Sequence, residues 1–211
     1  AIPMQVRRNG HPLELTRTGL AAGIPAPTGK ILLLVHGLCM NDLQWQRNGH
    51  DHGEALAAAG GYTPLYLHYN SGEHVSQNGH AFADMLETLL RAWPVPVEQL
   101  LIVGHSMGGL LARSACHYGQ LAGHGWLKHL RQMVFLGTPH LGAPLERGGN
   151  WVNVVLELSP YTAALARLAK IRSAGITDLR HGSILDADWQ HGDRFAHAGS
   201  KRGITPLPQG V

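Results

Sequence analysis

Leu100-Leu101-Ile102-Val103-Gly104-His105-Ser106-Met107-Gly108-Gly109 decides how this chain is read. Four apolar residues run into a Gly-x-Ser-x-Gly turn, and Met107 to Tyr118 then reads as a helix. A buried strand, a serine-centred turn and a helix that opens at once is the context in which this pattern carries chemistry. The sharp turn forces the serine backbone into strained geometry and pushes its hydroxyl out above the sheet. Gly104 and Gly108 are expected because side chains there would collide across the turn, and Gly109 gives room for close helix–sheet packing. The helix start directs free N–H groups and a positive dipole end at the same place. A tetrahedral acyl intermediate would put its negative charge there. Ser106 is the expected nucleophile and the Met107 N–H one expected oxyanion donor.

The second donor should come from the loop after the first long strand. Ile31-Leu32-Leu33-Leu34-Val35 is an apolar run suited to a central parallel strand, and His36-Gly37-Leu38-Cys39 follows it. Leu38 N–H is the natural candidate, with Cys39 as its competitor. His36 reads as structural, its ring bonded to loop backbone, rather than as a proton carrier.

Around these two motifs the elements alternate. Met4 to Leu15 suggests a hairpin turning at Asn9-Gly10, and a Pro/Gly loop runs from Gly23 to Gly29. His52 to Ala59 is helical and stops at Gly60-Gly61, and Thr63 to Tyr69 alternates as a strand does. Gly79 to Trp93 places Phe82, Met85, Leu86, Leu89 and Leu90 on one helical face before Pro94 ends it. Gln132 to Leu136 is a further strand. Strand, helix, strand, helix, strand, helix, strand implies a mostly parallel sheet with right-handed crossovers and helices on both faces. From Trp151 to Ile171 apolar residues recur at helical spacing around Ser159-Pro160, which reads as two short helices of a lid; the lid or cap is bounded at 150–190 within a single domain, 1–211.

Val35-His36-Gly37-Leu38, the Gly104 to Gly109 elbow and Phe135-Leu136-Gly137-Thr138-Pro139-His140-Leu141-Gly142-Ala143-Pro144 resemble the bacterial lipase/esterase-like α/β hydrolases related to GPI inositol-deacylases. The resemblance runs from about Ile31 to Arg180 and takes in Arg172-Ser173-Ala174-Gly175-Ile176-Thr177-Asp178. It implies the α/β-hydrolase fold and ester hydrolysis through a Ser-His-Asp triad. His140, after Gly-Thr-Pro, is expected to border the cleft and shape substrate binding.

The order nucleophile, acid, histidine places acid and histidine after two further strands. Only one strand, ending near Leu136, follows Ser106. Asp178, Asp186, Asp188 and Asp193, with His181, His191 and His197, are the late candidates, and none lies just past a recognisable strand. No triad is assigned from them; the C-terminal strands, with the acid and histidine, are expected beyond residue 211. The ending Pro206-Leu207-Pro208-Gln209-Gly210-Val211 resembles the lead-in to the next strand.

Composition narrows the rest. Of 211 residues, 44% are hydrophobic and 15% charged, which describes a globular chain with strands buried on both faces. A net charge of +3 carries no Lys/Arg cluster denser than Arg7-Arg8 or Lys201-Arg202, so nucleic-acid binding is not expected. The longest pure apolar run is far short of a membrane span. Cys39 and Cys116 are expected as buried thiols. The 15 histidines raise a metal question, but His50 and His52 should diverge if a helix starts there, and no cysteine joins them at zinc spacing; no metal and no cofactor is expected. Trp45, Trp151 and Trp189 suit either an acyl pocket or core. Because Ala1 opens the chain, a removed signal peptide would not be visible; a cytoplasmic protein is expected.

The leading expectation is thus a serine carboxylic-ester hydrolase working through a covalent acyl-enzyme on a small-molecule or lipid ester. A thioesterase or acyltransferase would use the same elbow, and a hydrolase-like binding domain would keep the elbow without the triad. Oligomeric state is not legible.

Overall fold

The chain enters through a short antiparallel hairpin, β1 (Gln5–Arg8) and β2 (His11–Pro12), in the computed structural model, which describes residues 2–142 and 173–190. Asn9 and Gly10 both take positive φ, +50° and +76°, the two-residue turn expected of an Asn-Gly pair. The same chemistry recurs at Asn48-Gly49, φ +51° and +76°, between β4 (Gln46–Arg47) and β5 (His50–Asp51). That dipeptide is a hairpin signal the sequence reading passed over.

Between the hairpins lie α1 (Arg17–Gly23) and β3 (Lys30–Val35). Then follow α2 (His52–Gly60), β6 (Thr63–His68), α3 (Val75–Ala92), β7 (Gln99–His105), α4 (Met107–Leu121) and β8 (Leu130–Leu136). The main sheet has the order β2-β1-β6-β3-β7-β8. β6, β3, β7 and β8 are mutually parallel, and β1 is antiparallel to β6. The chain steps from β3 to β6 on one side, then crosses back over β3 to β7 and β8 on the other. The winding direction therefore reverses at β3, which opens a crevice between the carboxyl ends of β3 and β7, where open α/β sheets place ligands.

Alternate residues of β3 supply two cores. Ile31, Leu33 and Val35 pack with Leu20 of α1, Phe82 and Leu86 of α3 and Leu111 of α4. Leu32 and Leu34 pack on the other face with Ala57 of α2, Tyr66 and Val103. Covering on both faces is why β3 is an unbroken apolar run. Each fully buried leucine contributes about 2 kcal/mol by removal from water.

The structure adds one helix to those expected and starts two other elements earlier. α1 was not foreseen because it turns only Leu20 fully inward; Thr16 caps it by accepting the Gly19 N–H at 3.0 Å. α3 begins at Val75 rather than Gly79. Its N-cap, His74, makes no side-chain cap bond, and the Val75 N–H is instead taken by Asp178, 103 positions away, at 2.8 Å. Gly79 is an interior position facing α4, where an added Cβ would sit 2.7 Å from the Cβ of Ser114. β8 starts two residues early, at Leu130.

The lid helices expected over Trp151 to Ile171 lie outside the described residues. The stretch after them, expected as polar loop, forms α5 (Ala174–His181) and α6 (Ala187–Gln190). Polar bonds tie this stretch to the body: Ser114 Oγ donates to the Ile184 carbonyl at 2.6 Å, Asp186 N–H to Tyr118 Oη at 2.9 Å, and Trp189 Nε1–H to Ser76 Oγ at 2.8 Å. Both cysteines are free, but only Cys116 is buried, its thiol pushed up to about 12 by burial; Cys39 is exposed, on the loop after β3 with φ +55°. Among the described residues no helix is long and apolar enough to cross a membrane.

Candidate active site

Ser106 sits between the last residue of β7 and the first of α4, with φ +50° and ψ −119°. A non-glycine residue in such a conformation costs on the order of 1–3 kcal/mol and persists only where its surroundings over-determine it. Here the Ser106 N–H donates to the Leu136 carbonyl at 2.8 Å, and the Ser106 carbonyl accepts the Gly109 N–H at 3.1 Å. An N-cap serine ordinarily has extended backbone and turns its hydroxyl onto its own helix. Ser106 makes no such cap bond, so the helix does not consume the hydroxyl.

The glycines around it have no space to spare. A Cβ on Gly104 would lie 2.7 Å from Gly109 Cα, a collision across the turn. A Cβ on Gly108 would instead strike the end of β3, at the Val35 carbonyl and 2.6 Å from that of His36. Gly109 faces Phe135 and Thr138 of the neighbouring strand and loop.

The His36–Met40 loop lies against this turn: a Cβ on Gly37 would come 3.2 Å from Ser106 Cβ and 3.0 Å from His105 Nδ1. His36 is fully buried, its Nδ1 2.8 Å from the Gly37 carbonyl, and Nε2 receives the Tyr69 N–H at 3.4 Å. Those partners require a neutral ring with the proton on Nδ1. Burial drives its pKa down to about 4, against the pull of the Gly37 carbonyl. Tyr69 stacks on the ring at 4.4 Å and donates its hydroxyl to the His36 carbonyl at 3.0 Å. His36 is thus a structural part of the loop.

Of the two competing N–H groups, that of Cys39 is engaged by Ser71 Oγ at 3.0 Å. No hydrogen bond takes the Leu38 N–H among the described residues. Met107 is the first residue of α4, and its N–H has no carbonyl one turn back to bond. The side chains of Leu38 and Met107 meet in one apolar cluster with Val75, Leu110 and Ile184.

His140 lies on the loop beyond β8. Its Nδ1 faces Arg113 Nη1 at 3.2 Å, and its ring meets Phe135 edge-on at 4.7 Å. Guanidinium only donates, so His140 Nδ1 accepts and the proton sits on Nε2. Burial first, then the Arg113 charge, hold its pKa below the usual histidine value.

Among the described residues no hydrogen bond joins Ser106 to a histidine. The His105 ring packs edge-on to Trp45 with centroids 6.4 Å apart, and its buried Nδ1 has no hydrogen-bond partner among the described residues; burial lowers its pKa. The late acids have other partners. Asp178, almost fully buried, holds His74 Nδ1 at 3.0 Å as well as the Val75 N–H, and Trp189 stacks on the His74 ring at 3.9 Å. Burial raises the Asp178 pKa, and the bonds from Val75 and His74 offset part of that. Asp186 reaches His80 Nε2 at 3.2 Å, and Asp188 accepts the N–H groups of Ile184 and Leu185. His181 ends α5, while His191, Asp193 and His197 lie outside the described residues. His50 and His52 do not diverge; their rings meet edge to face at 4.9 Å, because the intervening Asp51 is an extended N-cap. Among the described residues no group of three potential ligands is placed to hold a metal.

Sequence reasoning missed Ser71, Tyr69 and the His74–Asp178 pair. Their partners are distant in the chain, and only the Asn70-Ser71-Gly72 turn residues hint at a tight loop there.

Residues 26–205 match the PGAP1-like alpha/beta domain family. Among solved structures, mature Bacillus licheniformis lipase BlEst2 is similar over 85% of this chain and 61% of its own, with TM-score 0.53 and 21% identity. Its propeptide form is similar over 84% and 33%, with TM-score 0.52 and 19% identity. At these identities the likeness is one of fold, and the chain spans 61% of the mature lipase's length. No curated protein matches it. The match over most of the length places the chain in the PGAP1-like alpha/beta domain family, and its mostly parallel sheet with the serine turn at the switch point shares the fold of the bacterial lipase to which it is similar.

Proposed function

We propose that the protein hydrolyses carboxylic esters through a covalent acyl-enzyme on Ser106. The observation that carries this reading is the backbone of Ser106 itself: a left-handed serine at a strand-to-helix elbow whose hydroxyl does not cap its own helix. Strain of that kind gathers where function needs it.

In the proposed reaction the Ser106 hydroxyl gives its proton to a general base and its oxygen adds to the ester carbonyl. The N–H groups of Leu38 and Met107 receive the oxyanion. Collapse expels the alcohol, and water then releases the acid from Ser106. Leu38 is preferred over Cys39 as donor because the Cys39 N–H is already bonded to Ser71. His140 borders the substrate and offers its Nε2–H, the ring proton left by its contact with Arg113. Segment 150–190 serves as a cap, its described part, 173–190, tied to α3 and α4. The substrate is a small-molecule or lipid ester.

The test is a fluorophosphonate probe on the full-length protein. Wild type should be labelled at Ser106 and should turn over p-nitrophenyl butyrate; undiminished turnover in Ser106→Ala would remove the assignment.

A further inference from the structure

Ser71, on the loop between β6 and α3, touches the loop that carries Leu38 and belongs to neither of the motifs that define the elbow. We infer that Ser71 is a positioning residue for ester hydrolysis: its hydroxyl fixes the loop after β3 so that the Leu38 N–H faces the oxyanion. This rests on the Ser106 reading above.

Cys39 holds φ +55°, a conformation non-glycine side chains rarely adopt. Something must offset that strain, and the bond from Cys39 N–H to Ser71 Oγ is placed to do so. It also decides which donor is free. Two successive N–H groups leave this loop, and occupying that of Cys39 leaves that of Leu38 for a ligand. A loop without this anchor would relax Cys39 toward negative φ and swing the peptide planes on either side of it, displacing both N–H groups.

Ser71 can serve as an anchor because the residues on either side of it, Asn70 and Gly72, are held by three hydrogen bonds. Asn70 Oδ1 accepts the Gly72 N–H at 3.1 Å, and Asn78 Nδ2 holds the Asn70 carbonyl at 2.9 Å. The Gly175 N–H of α5 donates to the Gly72 carbonyl at 3.3 Å. Gly175 is so close to the Ser71 carbonyl that an added Cβ would collide with it, and the same Cβ would lie 2.9 Å from Met107 Cε. Tyr69, at the near end of this loop, already clamps the His36 carbonyl, so both ends of the oxyanion loop answer to residues 69–71. A donor misaimed by a fraction of an ångström loses much of its value, because the hole stabilises the transition state only at hydrogen-bond distance.

The experiment compares Ser71→Thr with Ser71→Val in the full-length protein, two variants of nearly equal shape that differ by the hydroxyl. With p-nitrophenyl butyrate, kcat of the Thr variant should exceed that of the Val variant by about tenfold or more, with KM within about twofold, as befits a contact felt in the transition state. Ser71→Ala should behave as Val does, and its thermal midpoint shows whether it folds. A purely structural serine would lower the folded fraction without moving the kcat of what remains folded. Equal kcat for Thr and Val, or a wild-type kcat for Ala, overturns the inference. Should Ser106→Ala remain active in parallel, the nucleophile assignment is what fails; should it be inactive while Ser71→Ala matches wild type, only the role of Ser71 fails.

Discussion

The backbone N–H of Ser106 donates to the carbonyl of Leu136 at 2.8 Å, one residue beyond the last paired position of β7 and β8. The elbow is thereby an extension of the sheet ladder rather than a free loop. Its strained φ is fixed by main chain alone, and the side chain can be altered without undoing it.

Ser106→Ala should therefore fold like the parent, with a thermal midpoint unchanged to within a few degrees. Turnover should fall on the order of 10⁴ to 10⁶ in kcat, because removing a nucleophile disables the whole catalytic constellation. A large loss of stability would show that the hydroxyl, not the Leu136 carbonyl, holds the turn.

Gly108→Ala should destabilise the fold by about 3 kcal/mol, at the upper end of overpacking effects. Its Cβ meets the main-chain carbonyls of Val35 and His36, which cannot move without parting α4 from β3. Gly61→Ala supplies the contrast: φ is +70° but nothing lies within 4 Å, so only conformational strain of about 1 kcal/mol is expected. Urea denaturation of the two variants should separate them clearly; equal losses would mean the α4–β3 contact yields more readily than its geometry implies.

The sheet was legible because buried parallel strands announce themselves. Ile31 to Val35 and Leu100 to Val103 are short apolar runs bounded by turn residues, and Gly104 has the collision across the turn that its position suggested, whereas Gly108 is required by β3 instead. What escaped were features whose partners lie far along the chain. The start of α3 is capped by Asp178, and the loop of the exposed Cys39 is bonded to Ser71, so neither leaves a local pattern. The choice between Leu38 and Cys39 as donor was open for the same reason.

His36 makes stability depend on acid. Its ring is buried and neutral, with a folded pKa near 4 against about 6.5 when unfolded, so the unfolded chain binds the extra proton between those values. The contribution is fully present above pH 6.5 and is lost as pH falls toward 4, amounting to about 3 kcal/mol. Denaturant midpoints of wild type should decline across that window, and His36→Gln, less stable at neutral pH, should decline less. Parallel declines would show that other groups govern the acid limb.

Asp178→Ala should be the most damaging change outside the elbow. The carboxylate is almost fully buried and accepts both the first N–H of α3 and the His74 ring, so its removal strands two donors at once. Leaving a buried donor without its acceptor costs about 1–3 kcal/mol each, more than an exposed ion pair ordinarily contributes. Asp178→Asn keeps an acceptor oxygen for the Val75 N–H but loses the charge that suits both a helix N-terminus and a histidine, so about half of that loss is expected. The damage should be local first: α5 is fastened to α3 through this residue, and limited proteolysis should cut between residues 173 and 190 in the Ala variant well before it cuts the sheet. Cleavage spread evenly along the chain would mean that Asp178 supports the whole fold and not the docking of one segment.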